Sequence, residues 1–213
     1  MPSTQFNLSD GQRAERKLLV TVLEWLEYTL LTSEPDDWAT DYTDYYEKTA
    51  NGYVKVTGSS APTWAANKYY EGAVTRELCG TRTEDSSIEY NADIETTTDI
   101  LGNNYTDLNK TQPEQTFDAS PLRGGSKLQA KLNDIRRRNA VSELQGFTGY
   151  IVTAYAGSTG AFEAEKHDGC SVTYDSIGGD VTINFPYTIH FSNKITTGTV
   201  DKIAADFVFT ADV

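Results

Sequence analysis

The stretch from Ser87 to Ile100, SIEYNADIETTTDI, constrains this chain most, because it alternates along its whole length. Ile88, Tyr90, Ala92, Ile94, Thr96, Thr98 and Ile100 fall on one parity, and Glu89, Asn91, Asp93, Glu95, Thr97 and Asp99 on the other. Successive side chains of a strand point to opposite faces, so the stretch reads as one long strand with a face able to pack and a face kept polar. The polar parity carries four carboxylates and no cation. Fourteen residues of strand would span roughly 46 Å at ~3.3 Å each, well beyond the usual five or six residues. Two like charges ~7 Å apart repel by only about 0.6 kcal/mol in water, so such a row is tolerable where it stays wet.

The rest of the chain leans the same way, with 31 acidic against 18 basic residues and a formal charge of −13. That balance argues against tight binding of free nucleic acid or of an anionic membrane surface, both of which rely on Lys and Arg. It also favours solubility. The start, MPSTQFNLSDGQRAERKLLV, is polar before its first apolar run. Met1–Arg13 reads as an arm rather than a signal peptide, and the chain is expected in the cytoplasm when made. No stretch has the ~18–20 apolar residues of a membrane span. Cys79 and Cys170 read as two free thiols, buried or half-buried.

Strand signals dominate. Lys17–Tyr28 is apolar, and the β-branched Val20-Thr21-Val22 favours a strand there. Residues 31–80 change character, being rich in Tyr, Trp, Asp and Thr, with a weak echo between WATDYTDYYE and WAANKYYE. Asn51-Gly52 signals a tight turn between two short strands. This segment reads as a β-rich aromatic insertion, its rings either a satellite core or a sugar-binding surface. After the acidic strand, Leu101-Gly102-Asn103-Asn104 reads as a turn and YTDLNKTQPEQTFD as the return arm of a long hairpin or an extended loop. Pro113 lacks an N–H, which puts an edge or an ordered loop near that point. One helix is expected after Gly124-Gly125, with Ser126 as N-cap, Leu128, Leu132 and Ile135 as its packed stripe, and Arg136, Arg137 and Arg138 at its C-terminus. Downstream come strands at Tyr150–Tyr155, at Ser171–Tyr174 and Val181–Phe185 around a Gly178-Gly179-Asp180 hairpin turn, at Tyr187–Phe191, and a closing Phe207-Val208-Phe209. The expected fold is mainly β, a β-sandwich or barrel with one flanking α-helix and a long extended hairpin.

Chemistry is sparse. His190 alternates with apolar residues as a structural histidine, and His167 lies in KHDGC, read as a turn. Zinc wants four ligands in a structural site, and His167 with Cys170 falls short. No nucleophile elbow, P-loop or dinucleotide fingerprint occurs. Asp93 and Glu95 stand ~7 Å apart on a strand, a usable glycosidase separation. An acid/base pair, however, needs divergent environments, and a uniform stripe offers similar ones. The chain therefore reads as a non-enzyme without cofactor or metal.

The block SSIEYNADIETTTDILGNNYTDLNKTQPEQTFD (Ser86–Asp118), followed by RGGSKL and DIRRRN, resembles the major tail tube proteins of long non-contractile-tailed (siphovirus-type) bacteriophages of Gram-positive bacteria. AERKLLVT near the start and the closing INFPYTIHFSNKITTGTVDK resemble them too. The resemblance covers roughly Asp10–Val22 and Thr83–Val213. Two departures stand out: Ala119-Ser120-Pro121 where a bulkier apolar residue is expected, and the added Trp25–Gly80. The resemblance implies a tube domain over 1–30 and 81–213, with 31–80 carried on the outer surface. It implies homo-hexameric rings stacked into a tail tube, which holds the tape-measure protein and meets tail-tip and tail-terminator proteins. DNA would pass through the lumen without specific binding. Glu89, Asp93, Glu95 and Asp99 are then expected on the lumen wall. A loop over Thr97–Phe117, including Thr98, Leu101, Gly102, Asn103, Asn104, Tyr105, Leu108 and Pro113, would reach the next ring. Arg136, Arg137 and Arg138 are a candidate subunit contact. The protein would sit in the virion tail, assembled in the host cytoplasm. The alternatives are a tube protein of a contractile tail or secretion-type injection system, and a carbohydrate-binding β-module carried by the insertion.

Overall fold

The run KLLVTVLEWLEYTL forms strand β1 (Lys17–Leu30). β1 pairs antiparallel with β4 (Tyr69–Leu78) along one edge and with β7 (Gln145–Tyr155) along the other. A strand flanked on both sides can bury both faces, and β1 does so. Leu23 and Trp25 enter one core, and Val22 the other. The computed structural model describes residues 17–39, 44–49, 52–58, 60–80, 86–118, 120–122, 124–155, 161–179 and 182–212. The predicted arm Met1–Arg13 lies outside these residues.

The remaining strands are β2 (Tyr45–Thr49), β3 (Gly52–Lys55), β5 (Ile88–Thr98), β6 (Asn104–Phe117), β8 (Phe162–Tyr174), β9 (Tyr187–His190), β10 (Ile195–Val200) and β11 (Phe209–Ala211). They join one antiparallel sheet in the order β3-β2-β4-β1-β7-β8-β9-β6-β5, and β10 pairs with both β8 and β11. The fold is mainly β with one α-helix among the described residues, as expected from the strand-rich pattern.

The second edge of β8 is shared. Phe162–His167 pairs with β10, and Ser171–Tyr174 pairs with β9. Gly169 sits between the two at φ +84°, a left-handed conformation that side chains resist, and the pairing with β7 slips there. This is a β-bulge that redirects the strand. The main core lies on one face of the sheet, where Leu128, Leu132 and Ile135 of helix α1 (Lys127–Arg138) meet Phe147, Ile151, Val172, Ile189 and Phe191. On the other face Val22, Tyr150, Val152 and Ala164 meet Val200 and Phe207.

Helix α1 begins where the sequence indicates. Ser126 is extended, and its hydroxyl accepts from the Gln129 N–H at 3.1 Å. Glu77 of β4 adds a second cap, accepting from the Leu128 N–H at 2.9 Å and from the Ser126 hydroxyl. A carboxylate at this helix end satisfies an orphan donor and meets the positive end of the dipole. Glu77→Ala is therefore expected to lower stability by about 1–2 kcal/mol, read as a shift in the urea midpoint at constant slope. An unchanged midpoint would remove Glu77 from the cap.

Four expectations need correction. Residues 31–80 are not an appended unit. Their strand β4 runs in register with β1 from Val22↔Leu78 to Leu30↔Tyr70 and carries the Glu77 cap, so the main sheet continues through them. What lies beyond β4 is smaller: β2, which pairs with β4, then β3, and a satellite core in which Trp38 and Tyr45 meet Tyr69 of β4. Of the expected strand Val181–Phe185, Val181 lies outside the described residues, and residues 182–185 are not the partner of Ser171–Tyr174. That partner is β9, with Tyr174↔Tyr187, and Gly178 and Asn184 close a tight loop between them. KHDGC is strand rather than turn. His167 is 1% exposed, and its Nδ1 lies 2.8 Å from the Ser192 carbonyl oxygen, pinning the segment after β9 to the bulge. Finally, the long acidic strand ends at Thr98, leaving Asp99 and Ile100 in a turn.

Candidate assembly surface

Strands β5 and β6 leave the sheet together. Apart from their pairing with each other, only Glu114–Phe117 at the root of β6 pairs with another strand, β9. Gln115 anchors that root by accepting from the buried Thr21 hydroxyl of β1, and Ser86 donates to the Thr116 carbonyl at 2.8 Å. Pro113 marks where the body ends. Its carbonyl accepts the Phe191 N–H at 2.9 Å, and beyond it β6 has only β5 beside it. Asn104–Pro113 with the facing part of β5 thus forms a two-stranded ribbon roughly 30 Å long at ~3.3 Å per residue.

The ribbon has two different faces. One pairs Tyr90↔Pro113, Ala92↔Thr111, Ile94↔Leu108 and Thr96↔Thr106. The other pairs Glu89↔Glu114, Asn91↔Gln112, Asp93↔Lys110 and Thr97↔Tyr105, and the backbone register puts Asp107 opposite Glu95. A bulge keeps the faces distinct. The register steps from Asp93↔Lys110 to Ile94↔Leu108 and skips Asn109. Without that step Leu108 would fall opposite Glu95, because one residue of slip moves a side chain to the other face. The bulge returns Leu108 to Ile94, and the apolar face stays apolar.

The tip is a compact turn built on Asp99. Its Oδ1 accepts from the Leu101 and Asn103 N–H groups at 2.8 and 2.9 Å, and its Oδ2 from Asn103 Nδ2 at 3.0 Å and the Tyr105 hydroxyl at 3.2 Å. Gly102 supplies a φ of +82°. The predicted long loop is thus a ribbon. Thr97 and Thr98 end β5, Leu101, Gly102 and Asn103 form the tip, and Asn104, Tyr105, Leu108 and Pro113 belong to β6. Asp99 leaves the acidic row, because its carboxylate is spent on the turn. Glu89, Asp93 and Glu95 remain on one exposed face.

Hydrogen bonds from Asn103 and Leu101 hold the Asp99 carboxyl below its ordinary pKa. A depressed folded-state pKa means that the contribution is complete above the unfolded value of about 3.9 and fades as pH falls through the lower, folded value. Amide exchange at Leu101 and Asn103 is therefore expected to be steady from pH 7 to about pH 4 once corrected for intrinsic rates, and to accelerate below it. Asp99→Ala should show the fast exchange at every pH.

The three arginines divide. Arg138 is held by Asp134 and Glu143 at 2.7 and 2.8 Å, and Arg136 donates to Asn133 Oδ1 at 2.9 Å. Of the three, only the exposed Arg137 has neither an ion pair nor a side-chain hydrogen bond among the described residues. A contact through the whole basic run is therefore reduced to Arg137, since the helix and the turn after it already use the other two.

Sequence reasoning missed three members of this surface, namely Lys110, Glu114 and the bulge. The bulge had a signal. In β6 the polar parity runs through Tyr105 and Asp107 and then switches to Lys110, Gln112 and Glu114, a phase slip across Leu108-Asn109. Glu114 stands directly across from Glu89, an unfavourable like-charge pairing. His190 Nδ1, 3.3 Å from Glu114 Oε2, lies beside it.

Around this surface the described residues hold no cluster of metal-ligating side chains and no helix long and apolar enough to cross a membrane. The chain matches no family model, no curated protein and no solved structure.

Proposed function

We propose that this chain is the structural subunit of a phage tail tube, forming stacked hexameric rings around a channel that holds the tape-measure protein and later conducts DNA. The observation that carries the reading is the β5–β6 ribbon. A two-stranded ribbon alone in water is marginally stable. This one nevertheless exposes Ile94, Leu108 and Tyr90 on one face and leaves Ile100 and Leu101 at its tip wholly open to solvent. Its long free edge, Ile88–Thr98, has unpaired backbone groups on one side, which in a lone protein is a liability and in an assembly a joint. Copies placed around an axis, joined through that edge and covering the apolar face, would turn Glu89, Asp93, Glu95 and Glu114 towards the centre.

A wall of carboxylates repels a polyanion and lets it slide. The reading therefore predicts that Glu89→Lys with Asp93→Lys permits folding and tube assembly but slows genome ejection, because a cationic wall holds phosphate. Ejection is followed by dye entry into released DNA at several salt concentrations, and added salt should restore part of the rate. Ejection at the unaltered rate would count against the lumen assignment.

A further inference from the structure

On the side of the molecule away from the ribbon, β1 and β3 face helix α1 across a groove. Two cavities of ≈ 260 and ≈ 540 Å³ lie there, and both are lined by Tyr28, Tyr53, Lys131 and Glu143. The larger falls within the usual 300–1,000 Å³ of ligand sites. Trp25 and Phe147 extend the aromatic wall, and Glu27, Lys127, Asp134 and Arg138 extend the polar one.

The aromatic wall is built in advance. Tyr28 and Tyr53 stack at 3.9 Å and 9°, and Tyr46 and Tyr70 meet them edge-on, each at 5.0 Å. Gly72 makes this packing fit, because a Cβ there would stand 2.4 Å from the Tyr46 ring. Burial pushes the Tyr28 phenol up to about 12, so it stays a hydrogen-bond donor across the physiological range. The polar wall is also fixed, with Arg138 bridging Asp134 and Glu143.

The chemistry of the lining selects the ligand. Its charged groups are Glu27, Asp134 and Glu143 against Lys127, Lys131 and Arg138, so the groove is balanced although the chain carries −13. An anionic or cationic ligand gains no net attraction there, and a wholly apolar one would strand ionised groups without partners. A ligand with apolar C–H faces and many hydroxyls satisfies both walls. We propose that this groove binds a neutral oligosaccharide, with sugar rings against the Tyr28–Tyr53 wall and hydroxyls bonded to Lys131 and Glu143. The site depends on β3 together with α1, so no isolated piece of 31–80 contains it.

The test is saturation-transfer-difference NMR and isothermal titration on the full chain with cellotriose, maltotriose, mannotriose and chitotriose. At least one should bind. Tyr53→Ala and Lys131→Met should each raise its dissociation constant about tenfold or more, a loss of roughly 1.4 kcal/mol, and Glu89→Gln on the distant ribbon should leave it unchanged. Lys131 is half-exposed, so Lys131→Met keeps the test open if Tyr53→Ala disturbs the β3 finger. No binding of any of the four at about 10 mM, affinity indifferent to both substitutions, or stronger binding of a trigalacturonate than of all four overturns the proposal.

Discussion

Aspartate at both Ile94 and Leu108 is expected to leave the monomer folded and to abolish assembly. The two residues face each other across β5 and β6 and are 56% and 62% exposed, so neither belongs to a core. The melting temperature of the dilute variant should therefore stay near that of the parent, as it does for most substitutions at open surface sites. In a ring the same two side chains become buried. Each apolar side chain covered contributes about 1.5–3 kcal/mol, and a buried unpaired carboxylate reverses the sign. Every subunit repeats the penalty, so the effect on assembly is expected to be complete rather than graded. Electron microscopy and sedimentation of the variant beside the parent measure it. Normal tubes from the double variant would show that the apolar face is not the joint.

Deleting residues 31–80 is expected to prevent folding, whereas a smaller excision of 36–68 should preserve the main sheet. The larger deletion removes β4 and exposes one whole edge of β1. With it go the Cys79 N–H bond to the Thr21 carbonyl at 2.8 Å and the Glu77 cap of α1. Arg76 is lost as well, which lies against the Phe207 ring at 4.6 Å and pairs with Glu24. The smaller excision takes β2, β3, Trp38 and Tyr45 but leaves β4 whole, Tyr69 included. Circular dichroism and the soluble yield of the two deletion variants decide it. A folded product from the larger deletion would show that the main domain does end at residue 30 and resume at 81.

Much of this fold was legible because its strands carry their pattern locally. The start of helix α1 was readable to the residue and its packed stripe with it, since Ser126, the Leu128-Leu132-Ile135 spacing and the arginine run are all short-range signals. The ribbon was readable as a hairpin because Ser87–Ile100 alternates and Leu101–Asn104 turns. What failed was long-range pairing. Ser171–Tyr174 has an attractive local partner in the segment ending at Phe185, yet β9 wins, because Tyr187 and Ile189 both bring buried side chains to the main core in register with Tyr174 and Val172, whereas Thr182, Ile183 and Asn184 are exposed and only Phe185 reaches that core. The aromatic content of 31–80 announced a separate cluster, but no short-range signal says that Tyr69–Leu78 returns to pair with β1. Asp99 was misjudged because parity alone cannot tell a strand-face carboxylate from a turn-capping one. The Gly102 beside it was the available hint, since a positive φ there closes a turn on the preceding Asp.

The account stands on one claim, that the ribbon is made to be covered by other copies of this chain. Cryo-electron microscopy of the purified protein at high concentration, alone and with tail-tip and tape-measure components, tests it directly. The predicted result is a hollow tube of stacked rings in which β5 and β6 join a continuous inner barrel, with Glu89, Asp93 and Glu95 facing the channel. Particles that stay monomeric under both conditions, or tubes whose ribbons point outward into solvent, would contradict it.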